Sequence, residues 1–232
     1  MLASVHLVDG GARATLAGLR RVPRPSDTPG LREARGLVAA PIGGRFPAPQ
    51  PGRFGLVAFW DDAAGLDAFL ASDLRAAALG GGWSARLEAV RAVPEAGGHF
   101  PGVPADLPTG PVDDDRPVAV LTIGLLRLGR AVPFLRASNR AERQVHAAPG
   151  LLWASGLANL FGPPVVATLS LWESGAQAQA YARSTSGHSR AMQEDGRRTF
   201  HHAGSFVRFR PLAATGHLEG RNPLAAAVTA AL

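Results

Sequence analysis

The sequence predicts an α+β protein: two ferredoxin-like β-α-β-β-α-β repeats in one chain, folded against each other as an intrachain pseudo-dimeric α/β barrel. Three observations predict it. The first is duplication. "PGLREARGL" at 29–37 returns as "PGLLWASGL" at 149–157, and "FGLVAFWDDAAGLDAFLAS" at 54–72 returns as "VVATLSLWESGAQAQAYARS" at 165–184, which aligns Trp60 with Trp172. Further on, "GGHFPG" at 97–102 returns as "TGHLEG" at 215–220 and pairs His99 with His217. The second is that each half alternates strand-period with helix-period segments. The third is a stretch rich in Pro, Gly and Asp, "FPGVPADLPTGPVDDDRP", between the halves. A four-stranded antiparallel sheet with both helices on one face leaves the other face bare, and two such faces bury one another. The expected division is a first repeat at 1–98, a linker at 99–116, a second repeat at 117–214 and a tail at 215–232.

The elements follow in order. "ASVHLVD" alternates as a strand, and "GARATLAGLRRV" has apolar residues at helical spacing. "EARGLVAA" and "GRFGLVAFW" read as strands joined by the Gly/Pro loop "PIGGRFPAPQPGR". "DDAAGLDAFLASDL" opens with acidic residues, as a helix N-terminus prefers, and "SARLEAVRAV" closes the half as a strand. The second half repeats the order: "PVAVLTIGLLRL", a helix through "AVPFLRASNRAERQVHAA", "LLWASGLAN", "PPVVATLSLW", a helix from "ESGAQAQAYARS", and "SFVRFRPL". The tail "NPLAAAVTAAL" is short and apolar, and reads as an end that frays or covers a groove.

Composition narrows the chemistry. Hydrophobic residues make up 46% and charged residues 18% of the 232, which places the chain among folded globular proteins. There is no lysine, and the arginines form no run longer than two, so no nucleic-acid partner is expected despite the net charge of +6. The absence of cysteine excludes disulfides, thiolate metal sites and a cysteine nucleophile. The N-terminus carries no evident signal peptide, and no run of about 18 apolar residues occurs. A cytoplasmic protein, monomer or homodimer, without a membrane span is expected. No dinucleotide, P-loop, zincin or nucleophile-elbow motif is present. "LGGGW" at 79–83 reads as a loop, and the run Asp113 to Asp115 as a solvated turn.

One histidine breaks the internal symmetry. With Trp60 on Trp172 and a two-residue gap, "FLASDLRAAAL" falls on "YARSTSGHSRAM", and Leu74 stands opposite His188. A residue that the fold itself requires would recur in both halves. "STSG" supplies hydroxyls that can cap a helix beginning near Gly187, and the positive end of that helix favours a neutral imidazole. His188 is therefore a candidate ligand, with a helix cap as its plain alternative.

The second half resembles the spheroidene monooxygenase family. The residues that carry the resemblance are "PVAVLTIGLLRL", "PGLLWASGL", "ATLSLW", "YARSTSGHSRAM", "FVRFRPL" and "GHLEGRNPL", in the family's order over roughly 117–224. The first half follows more loosely, through "FGLVAFW" and "GGHFPG". His217 stands where the family usually has tryptophan. The resemblance implies a ferredoxin-like α/β barrel and an oxidoreductase that binds haem b and inserts oxygen into an apolar carotenoid. It implies His188 as the iron ligand, and neutral imidazole suits that role.

The remaining candidates are arranged around that expectation. Met192, four residues on, is expected to pack against the ring or the core. His201 and His202 are adjacent and diverge, so they make a poor chelate, but one can face the pocket as a proton donor. Arg208 and Arg210 share one face of their strand, opposite Val207 and Phe209; with Arg127, Arg136 and Arg140 they are candidates for the haem carboxylates. Trp153, Trp172, Phe161, Phe206 and Tyr181 can line an apolar cavity or pack in the core. His6 can point into the barrel, His146 suits the cation-favouring end of a helix, and His217 and His99, as repeat mates, suggest structural roles. The expected activity is a haem-dependent, monooxygenase-like oxidation of a hydrophobic small molecule, a carotenoid or secondary metabolite. Three alternatives stay open: haem as a Lewis acid in dehydration or N–O and N–N chemistry, a cofactor-free oxygenase, and a non-catalytic carrier.

Overall fold

The computed structural model describes residues 1–40, 42, 51–95, 97–110, 114–159, 161–183 and 199–226, with the backbone alone at 139–144. The first repeat runs β1 (Leu2–Asp9), α1 (Gly11–Arg20), β2 (Leu31–Ala40), β3 (Arg53–Trp60), α2 (Ala63–Ser72) and β4 (Trp83–Pro94). The second runs β5 (Val118–Leu126), α3 (Ala131–Val145), β6 (Leu151–Ala158), β7 (Val165–Trp172), α4 (Gly175–Arg183) and β8 (His201–Thr215). All twelve elements are those the sequence predicts. Asp62 caps α2 by accepting a hydrogen bond from the Gly65 amide.

The strands close into one barrel in the order β1-β3-β2-β6-β7-β5-β8-β4. Every pairing is antiparallel. The two four-stranded sheets join edge to edge at β2–β6, through Val38 opposite Ala158, and at β4–β8, through Ser84 opposite Thr215. Closure removes the four edges that two separate sheets would expose. Alternate residues fill the interior: Val5 and Leu7, Val57 and Phe59, Leu121 and Ile123, Leu169 and Leu171, Val207 and Phe209 belong to one buried cluster.

The chain plugs its own barrel. Phe100, Val103 and Leu107 of the segment between the repeats are buried in that interior cluster, so the segment is a structural part and not a free spacer. His99 fastens it. Its Nε2 lies 2.7 Å from the Val103 carbonyl and must carry the proton; Nδ1 then accepts from the Ser205 hydroxyl at 3.2 Å, and that hydroxyl accepts from the Phe100 amide. The C-terminal segment is held too. The Trp83 indole donates to Asn222 at 3.0 Å, Asn222 donates to the Ala214 carbonyl, and Leu218 and Leu224 are buried in the same cluster. Among the described residues no helix is long and apolar enough to cross a membrane.

Candidate functional site

With the interior filled, the two helix-facing surfaces of the barrel remain. Strand register makes them comparable row by row. In the first repeat Leu56 is flanked by Gly36 and His6; in the second, Thr168 is flanked by Gly156 and Thr122, and Thr122 is followed by Phe206. One row further along, Phe54 is flanked by Val38 and Val8, whereas Val166 is flanked by Ala158 and Gly124, with Gly204 beyond. The row containing Trp60 and Trp172 keeps its large aromatic residue in both repeats. Each indole stacks on a ring of the following helix, Trp60 on Phe69 at 5.4 Å and Trp172 on Tyr181 at 5.3 Å.

The side chains pack accordingly. In the first repeat Phe54, Leu56, Trp60, Leu66, Phe69 and Leu79 form one buried cluster under α1 and α2. In the second, the described residues form two separate clusters. Trp172, Val118, Val145 and Ala178 make one; Leu126, Ala137 and Phe200, with Phe134 and Val166 against them, make the other. Thr122, Gly156 and Thr168 lie between the two, in neither, and are partly buried where Leu56 and His6 are fully buried. This floor of small and hydroxyl-bearing residues, with apolar walls, is the candidate site.

At one end of the floor stands a buried polar pair. A register shift at Leu125/Leu126 pairs His201 with Leu126 and turns its ring to the helix side of the sheet. There it meets Phe134 edge-on at 5.1 Å. His201 Nδ1 lies 2.9 Å from Glu95 Oε2, with 10% and 6% of the two side chains exposed. Glu95 follows β4 of the first repeat, anchored by its amide to the Gly204 carbonyl at 2.9 Å. Arg127 Nε donates to the His201 carbonyl at 3.1 Å. The sequence singles out His201 and Arg127; Glu95 is not among its candidates.

The other candidates are placed as follows. His188, Met192 and Arg140 lie outside the residues whose side chains are described. Leu74, opposite His188 in the repeat, is 88% exposed, so the first repeat makes no core use of that position. His202 is exposed. Arg208 and Arg210 face outward as expected, with Val207 and Phe209 buried behind them; Arg208 pairs with Asp114 at 3.3 Å and Arg210 with Glu88. Arg86, which occupies the place of Arg208 in the first repeat, is also ion-paired, to Asp67. Arg136 is exposed on α3. Trp153 faces the barrel interior against Trp83, with ring centroids 6.5 Å apart, on the opposite side of the sheet from the floor. Phe161 is 68% exposed on the loop after β6. Phe206 ends the middle row of the floor. His146 lies just past α3, near the Ile42 carbonyl, and His217 is exposed.

His6 corrects an expectation. It shares strand parity with Ser4, whose hydroxyl accepts from the Trp60 indole at 3.0 Å, so it points to the helix layer and not into the barrel. Burial, aided by the Arg86 charge, lowers its pKa from 6.5 to about 4. Among the described residues no three His, Asp or Glu side chains converge on one point as a metal site built wholly from protein would require.

Known proteins agree with this architecture. The aldoxime dehydratase structure superposes with a TM-score of 0.58 at 12% identity, over 90% of this chain and 80% of that one. A second aldoxime dehydratase, OxdRE in complex with butyraldoxime, gives 0.53 at 10% identity, over 90% and 79%. At these identities the likeness establishes a shared fold. No family model matches the chain. The spheroidene monooxygenase of Rubrivivax gelatinosus is 33% identical over 196 residues, which span 83% of this chain and 73% of that protein. Duplicated sheets, a closed barrel and this extent of identity together establish that the chain belongs to the spheroidene monooxygenase family.

Proposed function

We propose that the protein is a haem-dependent, monooxygenase-like oxidoreductase acting on an apolar or aromatic small molecule, and that b-type haem occupies the helix-facing layer of the second repeat. The observation that carries this reading is the row Gly156, Thr168, Thr122, in which Thr168 and Thr122 stand where the first repeat has Leu56 and His6, between two apolar clusters. That surface fits a flat, largely apolar ring better than it fits the interior, which side chains already fill. His188 would ligate the iron and Met192 would pack beside it. Arg127, at the edge of the floor, would hold a haem carboxylate; Arg208 is already engaged by Asp114, and Arg210 by Glu88. Haem supplies the oxygen chemistry when bound.

The chain's own residues do the rest. A ligand seated on the floor would lie between the two apolar clusters, which would keep water from it and strengthen every polar contact made there. His201 is the buried proton-handling group beside the floor, and exposed His202 leaves that role to it. The buried His201–Glu95 pair also supports a second reading, proton-transfer chemistry such as dehydration, with the iron as a Lewis acid. Both readings need the same cofactor.

The test is a haemin titration followed at the Soret band, for wild type and His188→Ala. Stoichiometric uptake by wild type, weakened or spectrally shifted in the variant and restored by imidazole, is expected. No stoichiometric uptake by wild type would remove the haem reading and leave a cofactor-free oxygenase or a carrier. Uptake indifferent to the substitution would keep the cofactor and take His188 out of it.

A further inference from the structure

Large apolar side chains collect on the outside of the molecule at one place. Among the described residues, Leu74, Leu128, Val132 and Phe161 are more than half exposed. All but Leu74 lie at one end of the second repeat. Leu128 opens the 3-10 turn Leu128–Arg130 after β5, and Val132 is in the first turn of α3. Phe161 is on the loop between β6 and β7. A hydrogen bond from the Leu126 amide to the Pro164 carbonyl, at 2.8 Å, holds that loop beside the turn. Asn159 keeps the loop tight by donating to the Phe161 carbonyl at 2.7 Å. Leu128, Val132 and Phe161 are 75%, 59% and 68% exposed on these neighbouring supports.

The charge around them has one sign. Arg130 and Arg136 are exposed, and neither has a carboxylate partner among the described residues. Arg136 lies one helical turn after Val132. Neither 127–138 nor 159–164 contains an aspartate or glutamate. The first repeat provides a control. There β1 leads into α1 through Asp9, Gly10, Gly11 and Ala12, with no large apolar residue, and Asp9 is ion-paired with Arg53 at 2.7 Å. The fold itself therefore does not require apolar residues and free arginines at this end.

We propose that this end of the second repeat is a contact surface for a lipid bilayer that carries anionic headgroups. Leu128, Val132 and Phe161 enter the headgroup boundary, and Arg130 and Arg136 meet the lipid phosphates. A second copy of the chain fits this surface less well, because a two-fold contact sets the arginines of one copy against those of the other. The patch is also far smaller than the roughly 20–30 residues a side of a stable protein interface. A bilayer needs only a few inserted side chains and a positive rim. The surface adjoins the walls of the floor: Leu126 stands two residues before Leu128, and Phe134 two residues after Val132. An apolar small molecule dissolved in the bilayer then passes along these walls to the floor without crossing water. That delivery rests on the proposed site; the membrane contact does not.

The test is co-sedimentation of the full chain with vesicles, of phosphatidylcholine alone and of equal parts phosphatidylcholine and phosphatidylglycerol. Wild type is expected to sediment with the anionic vesicles, more weakly with the neutral ones, and less as salt is raised. Leu128→Ser combined with Phe161→Ser is expected to lower partition onto anionic vesicles by about tenfold or more. Arg130→Gln combined with Arg136→Gln is expected to lower it by about fivefold per charge removed. All four positions are exposed, so both variants should keep the wild-type circular dichroism. No sedimentation of wild type with anionic vesicles overturns the proposal. So does binding that ignores either double substitution, or that is equal on the two vesicle types. Sedimentation velocity without lipid covers the other occupant: a dimer that Leu128→Ser with Phe161→Ser dissolves would assign the patch to a second copy and overturn the proposal. Haemin titration of the same samples separates the two levels. Failure of wild type to take haemin removes the proposed site and leaves the vesicle result standing. Intact haemin uptake in Leu128→Ser with Phe161→Ser, beside lost vesicle binding, is the expected pair of results.

Discussion

The helix-facing surfaces of the two repeats share strand order, register and a stacked tryptophan, and differ in nearly everything between. The first presents Phe54, Leu56 and His6, all buried, in or beside one continuous cluster. The second presents Val166, Thr168 and Thr122, partly buried, between two clusters that do not meet among the described residues. Duplicated units begin with the same packing needs. A unit that keeps its bulky filling is serving stability; one that has given it up has released that layer for another occupant. Each large side chain lost from such a layer forgoes about 1.5–3 kcal/mol of burial, so the loss needs a compensating ligand or a function. The barrel interior, shared by both repeats, carries the common stability.

The contrast can be broken first by truncation. Phe54→Ala is expected to cost about 3–5 kcal/mol in urea unfolding, through lost burial and a cavity under α1. Its counterpart Val166→Ala, at a partly buried site, is expected to cost about 1 kcal/mol. Equal costs would mean that the second layer is as tightly filled as the first.

A second contrast is acid sensitivity. His6 belongs to the first repeat and its counterpart, Thr122, does not titrate. The His6 pKa falls from 6.5 to about 4 on folding, so below pH 6.5 the unfolded chain takes a proton that the native ring refuses until about pH 4. Stability associated with neutral His6 is complete above pH 6.5 and declines as pH falls to about 4, by about 3 kcal/mol in total. In His6→Leu that part of the acid limb should flatten in denaturation curves taken across this window. An unchanged limb would move the acid sensitivity elsewhere.

Smaller effects sharpen the arginine assignments. Arg127→Gln is expected to weaken haemin binding by about 1.5 kcal/mol, the loss of one charge-assisted contact, or roughly tenfold in Kd. Arg210→Gln, half-exposed and paired with Glu88, is expected to change haemin binding and stability by about 0.5 kcal/mol or less. Reversal of that order would exchange their roles.

Much of the fold was legible because period and punctuation agree along the chain. Alternation in "ASVHLVD" and "FVRF", acidic residues before α2 and Gly/Pro loops place the eight strands and four α-helices, though not the short 3-10 turns at Ala76–Leu79 and Leu128–Arg130. Three features escaped for physical reasons. Proline and glycine in 99–116 read as a spacer, yet Phe100, Val103 and Leu107 sit between the prolines and fill the barrel end. Alternation on β1 does not say which face is the interior when both are buried, so His6 was open to the wrong side. β8 begins at His201, before the segment that alternates clearly, and its register shift turns His201 toward the helices. Glu95 is one acidic residue beyond a strand, without a motif; only closure of the barrel brings it to His201. The faces of Arg208 and Arg210, by contrast, followed directly from strand period.

The most direct test of the contrast between the repeats is a transplant. Val166→Phe with Thr168→Leu gives the second layer the residues that fill the first, and haemin uptake is followed at the Soret band beside wild type. Far-ultraviolet circular dichroism checks that the fold is kept. The expected result is stoichiometric uptake by wild type and none by a folded transplant. Undiminished uptake by the folded transplant would contradict the account, because the ligand would then lie somewhere other than on the floor of Gly156, Thr168 and Thr122.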